Sequence, residues 1–508
     1  MPSRRLREWW PLAALLLLAA ALRLPTIGAQ SFWYDEAFTP VHVLHASLGA
    51  TLRAVSHTEN SPPLWYLLEW GFSRALGTGE VALRLLSALA GVATVAVAWG
   101  VGRELAGRRA ALATALLVAV NPLFVWYSQE ARVYALFVLA VALALWCFLR
   151  ALRDPTPRRL GAFAAGGALA LATHYFAVFL LAPMCVWLLA STLSRPARVS
   201  PVRDPDAGPA GRTLLSSRPR AAQSTVAAVA AVALVGLALV PLIVAQGGHG
   251  TQWIGRWALS NRLQAIPQYY LTSYYGSALG HGVELLVSLP ILAGILFGLW
   301  HGLTREEEHG ALLALVIAAC GVLIPIALVV LGADYLAPRN LVAAMIPLTA
   351  LLAVVVVARR TGWIGVALAG VIALGFLAIV IDVNLSPRLQ RGDWRGLAAA
   401  IRTAPGSVQP RVLTTVELGA APLEYYLPPL HNLTRGATVT VSEIDETGYA
   451  PLRAGAREPP APGFHLVEHR DIHGLILYRF LSPIPRAVSE ATLRRHVITL
   501  EHPEVLVR

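Results

Sequence analysis

Lysine does not occur once in these 508 residues, so all 41 basic side chains are arginine. Carboxylates are scarce at 29, and charged residues make up only 14% of the chain. That excludes an ordinary soluble domain, in which about a quarter of residues are charged. The three cysteines, Cys147, Cys185 and Cys320, each fall inside an apolar run with no paired spacing. Neither a disulfide framework nor a cysteine metal site is indicated. The missing lysine reads as the mark of a GC-rich genome rather than of function.

What the sequence has in quantity is hydrocarbon: 56% of residues are hydrophobic and the mean hydropathy is +0.59. Apolar runs long enough to cross about 30 Å of lipid as helices recur near residues 11–29, 81–101, 110–127, 132–152, 160–173, 175–193, 222–245, 283–301, 310–331, 341–358 and 362–382. They predict an α-helical polytopic membrane protein with about 11 transmembrane helices. The first run follows the basic "MPSRRLR" and reads as an uncleaved anchor rather than a signal peptide, because so many spans follow it.

The net charge is +12, yet the arginines form no nucleic-acid face. They concentrate in alternate short loops: "SRRLR", "RELAGRR", "RALRDPTPRR", the long "SRPARVSPVRDPDAGPAGRTLLSSRPR" and "ARR" at 358–360. This is the positive-inside pattern and assigns those loops, with the amino terminus, to the cytoplasm. The loop after the first span then faces outward, as does everything after about residue 383. The chain accordingly divides into a membrane domain, 1–382, and an extracytoplasmic domain, 383–508.

The outward segments hold most of the acids, histidines and tyrosines that flank the spans. "SFWYDEAFTP" (31–40) sets Asp35 and Glu36 among aromatic rings. The rest of the first outer loop, 30–80, reads as two amphipathic helices on the membrane surface, 39–55 and 61–76. Ser61 is the expected N-cap of the second and Pro62 its first helical residue, with Trp65, Tyr66 and Trp70 suited to the headgroup layer. Beyond residue 383, "DWRGLAAAIRTA" is helix-like while "RVLTTV" and "GFHLVEHRDIHGLILYRFL" are strand-like, which predicts a small α/β domain. It shows no catalytic spacing, and both substrate recognition and simple stability fit it.

From "SFWYDEAFT" through "HTENSPPLWYLLEW" and "NPLFVWYSQEARVYAL" to "THYFAVFLL", the chain resembles the bacterial glycosyltransferase family 39 group. That group includes protein mannosyltransferases and lipid A aminoarabinose transferases and lies within the GT-C superfamily. The likeness is strong over roughly residues 30–190. Later, "YLAPRNLVAAMIPLTALLA" resembles the family's arginine-containing loop and "DWRGLAAAI" the start of its outer domain. The resemblance implies a GT-C-like fold in a bacterial cytoplasmic membrane. It also implies transfer of a sugar from a polyprenyl-phosphate-linked donor to a protein, lipid or glycan acceptor on the outer face.

Such a transfer needs a base for the acceptor proton and cations for the departing phosphate. Asp35 matches the family's acidic first-loop position, which implies a general base and inversion at the sugar. Glu36 cannot face the same pocket from a regular helix or strand, so it either orients the surroundings or binds a metal. Arg132 in "SQEARVY" and Arg339 in "APRN" suit a phosphate grip, because a guanidinium stays charged and offers a bidentate fork. Snorkelling to the headgroups is their competing role. Glu130 and Tyr134, four apart, would share a helical face from which Arg132 points away. His57 and Glu59, ahead of "SPPLWY", and His174 with Tyr175 in "THYF" are further substrate contacts or ordinary interfacial residues. Asp35, Glu36 and His57 would permit a divalent cation, Mg, Mn or Zn, joined by Glu59 and His174, although no tight ligand spacing such as HExxH occurs. Tyr269, Tyr270, Tyr274 and Tyr275 fit either a substrate path or an aromatic belt.

Two other classes compete. A transporter or flippase would carry paired charges or broken helices at mid-membrane and inverted repeats. Here the charges sit at span ends and no repeat is evident. A noncatalytic scaffold with an outer sensor domain would not depend on Asp35.

Overall fold

Each apolar run carries helix in the computed structural model, which describes residues 4–194, 199–201, 214–216, 218–247, 251–273, 281–403, 410–416, 419–496, 498 and 503–507. Among the described residues seven helices are long and apolar enough to cross a membrane: Glu80–Val120, Tyr134–Arg153, Ala221–Gln246, Gly282–His301, Arg305–Val330, Pro338–Val356 and Arg359–Leu385. Trp9–Arg23 and Ala177–Thr192 are shorter apolar helices. Glu80–Val120 carries two of the runs, separated by a kink at Ala106 and Gly107. Gly107 has φ 81° and ψ −160°, a conformation open to glycine and costly for any other residue. At Gly102 a Cβ would lie 2.6 Å from the Ala110 carbonyl oxygen, so the two arms of the kink touch through backbone.

The chain forms two compact units. The first comprises Met1–Pro25, Val55–Ala75 and Arg84–Ile381. Its helices Glu80–Val120 and Tyr134–Arg153 are largely buried, whereas the most apolar stretches of Ala221–Gln246 and Gly282–His301 are only 11% and 17% buried. Apolar side chains facing outward in such numbers suit lipid, not water. Helix starts follow ordinary capping chemistry. The Asn121 side chain accepts from the Leu123 and Phe124 amides ahead of Pro122–Ser128, and Thr304 and Glu307 close a capping box on Arg305–Val330.

Three expectations for the first outer loop change. The helix expected over 39–55 is a π-helix, Thr39–Val43, and a separate α-helix, Leu48–Thr58. Trp65 and Tyr66 are fully buried in the first unit rather than set at headgroup level, because Tyr66 turns inward to a buried carboxylate. The helix spans Leu64–Leu76 and starts later than Pro62, since each of the two prolines disfavours helical backbone in the residue before it. Tyr270 is likewise a core residue, bonded through its hydroxyl to Thr349 at 3.1 Å. Tyr274 and Tyr275 lie outside the described residues.

The second unit comprises Thr26–Ala54, Leu76–Leu83 and Asp382–Arg508. Its centre is a six-stranded sheet: β1 (Arg411–Val416), β2 (His431–Asn432), β3 (Thr438–Tyr449), β4 (His465–Ile472), β5 (Leu475–Ser489) and β6 (Pro503–Val507). The strand order is β2-β6-β1-β3-β5-β4, with β1 and β3 parallel and every other pair antiparallel. Alternation sends Val412, Ile444, Tyr478, Phe480 and Val505 into one hydrophobic core. The same register lines up charges on the other positions: Arg411 opposite Glu443, Asp445 opposite Arg479, and Arg479 opposite Glu468. The helix Trp394–Arg402 is capped by Asp393, which accepts from the Gly396 amide, and buries Trp394, Leu397, Ala398 and Ile401 at helical spacing.

Candidate active site

The centre of the first unit's polar cluster is built on a break in the helices. Residues 129–133 form a turn between Pro122–Ser128 and Tyr134–Arg153. Arg23, fully buried at the end of the first helix, holds this turn by donating from Nε to Ser128 Oγ (3.1 Å) and from its Nη atoms to the carbonyls of Ala119 (2.8 Å) and Val118 (3.3 Å). Gln129 donates back to the Arg23 carbonyl at 3.0 Å, and the Ser87 hydroxyl to the Arg132 carbonyl at 3.3 Å. The turn removes the helical geometry that set Arg132 apart from Glu130 and Tyr134.

From this turn Arg132 reaches Glu59 with both Nη atoms, at 3.1 and 3.4 Å, one to each carboxylate oxygen. Tyr66 donates its phenol to Glu59 Oε2 at 2.5 Å. Glu59 is 4% exposed, so the carboxylate depends on these partners for the solvation it has lost. Burial, followed by Glu59, pushes the Tyr66 phenol well above its usual range and keeps it a donor.

His174 follows the helix Pro157–Thr173 in extended backbone. Its ring stacks on Phe137 (4.6 Å between centroids, 18° between planes) and lies 6.2 Å from the Tyr134 ring. Burial, then Arg339 and Arg132, push its pKa down to about 3, so the imidazole is neutral. Nδ1 accepts the Phe176 amide at 3.2 Å, which leaves the ring proton on Nε2. Next to it, the Tyr175 hydroxyl donates to Gln246 Oε1 at 2.7 Å. The Gln246 amide in turn donates to the carbonyls of Val55 (3.0 Å) and Ser61 (3.1 Å), the two ends of the segment carrying His57 and Glu59. Arg339 is the second residue of the 3-10 helix Pro338–Ala344. The preceding loop is pinned where Arg262 grips Asp334 with two bonds of 2.6 and 2.9 Å.

The first unit thus gathers Glu59, Arg132, Tyr134 and His174, with Arg339 near enough to act on the histidine. Glu130 is buried at the same turn. His57 is exposed at the end of Leu48–Thr58 and has no side-chain partner among the described residues.

Asp35 and Glu36 belong to the second unit, on the short helix Tyr34–Phe38. That helix is seated against the C-terminal segment. The Ser31 hydroxyl donates to the Gly392 carbonyl and accepts from the Trp394 amide, both at 3.0 Å. Gln30 accepts the Arg391 amide at 3.0 Å, and Phe32 donates its amide to the Tyr426 hydroxyl at 2.8 Å. The two acids are unequal. Glu36 is fully buried, with Oε2 4.0 Å from Nε of the equally buried Arg391, while Asp35 is half-buried. Among the described residues no group of three or more His, Cys, Asp or Glu side chains is arranged to hold a metal ion.

Sequence reading did not single out Arg23, Gln246 or Arg391, and took Tyr66 for a headgroup residue. The only local signal was a lone polar residue closing an apolar run, at Arg23 and Gln246, which snorkelling explains equally well.

A polytopic helical unit with a small sheet unit is a GT-C-like architecture. The family model for dolichyl-phosphate-mannose-protein mannosyltransferase matches residues 60–201, a segment that holds Glu130, Arg132, Tyr134, His174 and Tyr175 but not Asp35, Glu36, His57, Glu59 or Arg339. In fold the chain is similar to ArnT from Cupriavidus metallidurans bound to undecaprenyl phosphate, at 14% identity over 92% of this chain and 97% of that one, with a TM-score of 0.53. The apo form of ArnT gives 14% identity, 93% and 98% coverage, and a TM-score of 0.52. No curated protein matches the chain.

Proposed function

We propose that the protein is an inverting glycosyltransferase. It moves a sugar from a polyprenyl-phosphate-linked donor to an acceptor on the outer face of a bacterial cytoplasmic membrane. The alternation of arginine loops supports a cytoplasmic amino terminus and an extracytoplasmic C-terminal domain.

The observation that carries the reading is the break at 129–133, from which Arg132 is held by both Nη atoms on the buried Glu59 (3.4 and 3.1 Å), in the same unit as the Tyr134–His174 ring pair and Arg339. Cations so placed suit a phosphate whose negative charge grows as the bond to the sugar breaks. In this reading Asp35 takes the proton of the acceptor hydroxyl as its oxygen bonds to the anomeric carbon. The bond from that carbon to the phosphate oxygen breaks, and its electron pair leaves with the lipid phosphate. Arg132 and Arg339 meet that charge. The Nε2–H of His174 is a neutral donor for a sugar or phosphate oxygen, and Glu59 with Tyr66 holds Arg132 in place. Glu36 is assigned a positioning role through Arg391. The ArnT structure was solved with undecaprenyl phosphate, which supports a lipid of this class as carrier.

The test is transfer from defined polyprenyl-phosphate sugars by purified protein. Asp35→Asn should lower the rate by about 10²–10⁴ with unchanged elution on size exclusion. Wild-type turnover by this variant, or no transfer by the native protein from any such donor, would sink the proposal.

A further inference from the structure

Sixteen residues beyond Tyr134 on the same helix, roughly 24 Å along its axis, the first unit carries a second concentration of arginine. A cavity of about 400 Å³ opens between the end of Tyr134–Arg153 and the start of Pro157–Thr173, lined by Cys147, Arg150, Thr156, Arg158, Arg159 and Ala162. We propose that this cavity binds the phosphate headgroup of an anionic membrane phospholipid. The site is separate from the sugar-transfer reading and stands or falls without it.

The positive-inside rule accounts for arginines at this face, but it asks only that each project into water. Here three converge on one recess, and their partners differ. Arg159 is tied to Asp154 at 3.0 Å, and Arg153 beside the cavity to Glu104 at 3.0 Å. Neither Arg150 nor Arg158 meets a carboxylate among the described residues. Arg150 is exposed and set over the Trp146 ring at 5.4 Å, with no carboxylate opposite its charge among the described residues. The Thr156 hydroxyl accepts the Arg159 amide as the helix cap, which leaves its own proton as a further donor at the recess.

The remaining wall, Cys147 and Ala162, is apolar, as the start of a lipid's acyl chains requires. A phosphodiester in the headgroup plane offers acceptors to two guanidinium forks. A zwitterionic headgroup brings its own cation and gains less. Basic pockets between transmembrane helices on the cytoplasmic side are a recognised form of lipid site, and the arginine pattern assigns this one to the cytoplasmic leaflet.

The experiment is native mass spectrometry of the full chain in detergent, with phosphatidylglycerol, phosphatidylethanolamine or inorganic phosphate added. Phosphatidylglycerol should be retained in preference to phosphatidylethanolamine. Arg150→Gln and Arg158→Gln should each weaken its retention about fivefold, and the pair about 25-fold. Arg108→Gln, at an exposed arginine on the Glu80–Val120 kink, should leave it unchanged. Helix content by circular dichroism checks folding, and the exposed Arg158→Gln alone decides the matter if the double variant misfolds. Equal binding of the two lipids, or loss in Arg108→Gln matching that in the arginine variants, overturns the proposal. Displacement of phosphatidylglycerol by millimolar inorganic phosphate overturns it too, marking a site for a soluble anion.

Discussion

A double-mutant cycle on Glu59 and Arg132 tests whether the central pair is one coupled unit. At 3.1 Å and an effective dielectric of 20 their attraction is about 5 kcal/mol before desolvation is counted. Both side chains are mostly buried, at 4% and 15% exposure, so removing one takes a countercharge from a buried charge. Glu59→Gln still accepts from Tyr66 but leaves Arg132 without its countercharge. Arg132→Met leaves the carboxylate with Tyr66 alone. Each single change should cost about 3–5 kcal/mol, whereas the double variant, which strands no charge, should cost far less than their sum. A coupling of at least about 2 kcal/mol is expected from reversible unfolding in mixed micelles, followed by tryptophan fluorescence. Additivity within about 0.5 kcal/mol would refute the reasoning, because independent sites behave that way.

Glu36→Gln should destabilise the second unit by about 1–3 kcal/mol through the loss of a buried carboxylate beside Arg391, and should reduce transfer far less than Asp35→Asn. Loss of transfer equal to that of Asp35→Asn at unchanged stability would remove the positioning role. Gln246→Leu takes away two donors and an acceptor inside the first unit and should cost about 2–4 kcal/mol, read as a lowered melting temperature. A final prediction concerns pH. Burial, then Glu443, pushes Asp445 from its ordinary 3.8 up to about 8, against the opposing pull of Arg411 and Arg479. The folded sheet therefore holds a proton that the unfolded chain gives up. Stability is full below the ordinary carboxylate range and is lost as pH rises toward 8. Asp445→Asn should flatten that part of the stability profile, and an unchanged slope would contradict it.

The spans were legible because crossing lipid is a demand on local composition, met or failed within about 20 residues. Which face of a helix meets protein was not legible, since lipid and protein interior are both apolar. Trp65 and Tyr66 therefore read as surface residues although they are buried beside Glu59. The turn at 129–133 depends on Arg23, about a hundred residues earlier, and no window around Arg132 contains that information. Within the sheet, "RVLTTV" announced itself by β-branching. β3 did not, because "SEIDE" buries Glu443 and Asp445 on the sheet face opposite the apolar core. Only the register that sets Arg411 and Arg479 beside them makes those acids tolerable.

The seat of the Asp35 helix also sets a schedule for making the protein. Ser31 and its partner Gly392 are 361 residues apart. At 5–20 residues per second the ribosome needs roughly 20–70 s to deliver the second after the first. For that interval the acid pair has been synthesised without the segment that fixes it. A chain stopped anywhere before Arg391 would insert its spans yet leave Asp35 on a loop with nothing to fold against. Truncation from the C-terminus as far as Arg391 should therefore silence the protein at its first loop while the last membrane helix, Arg359–Leu385, is still whole.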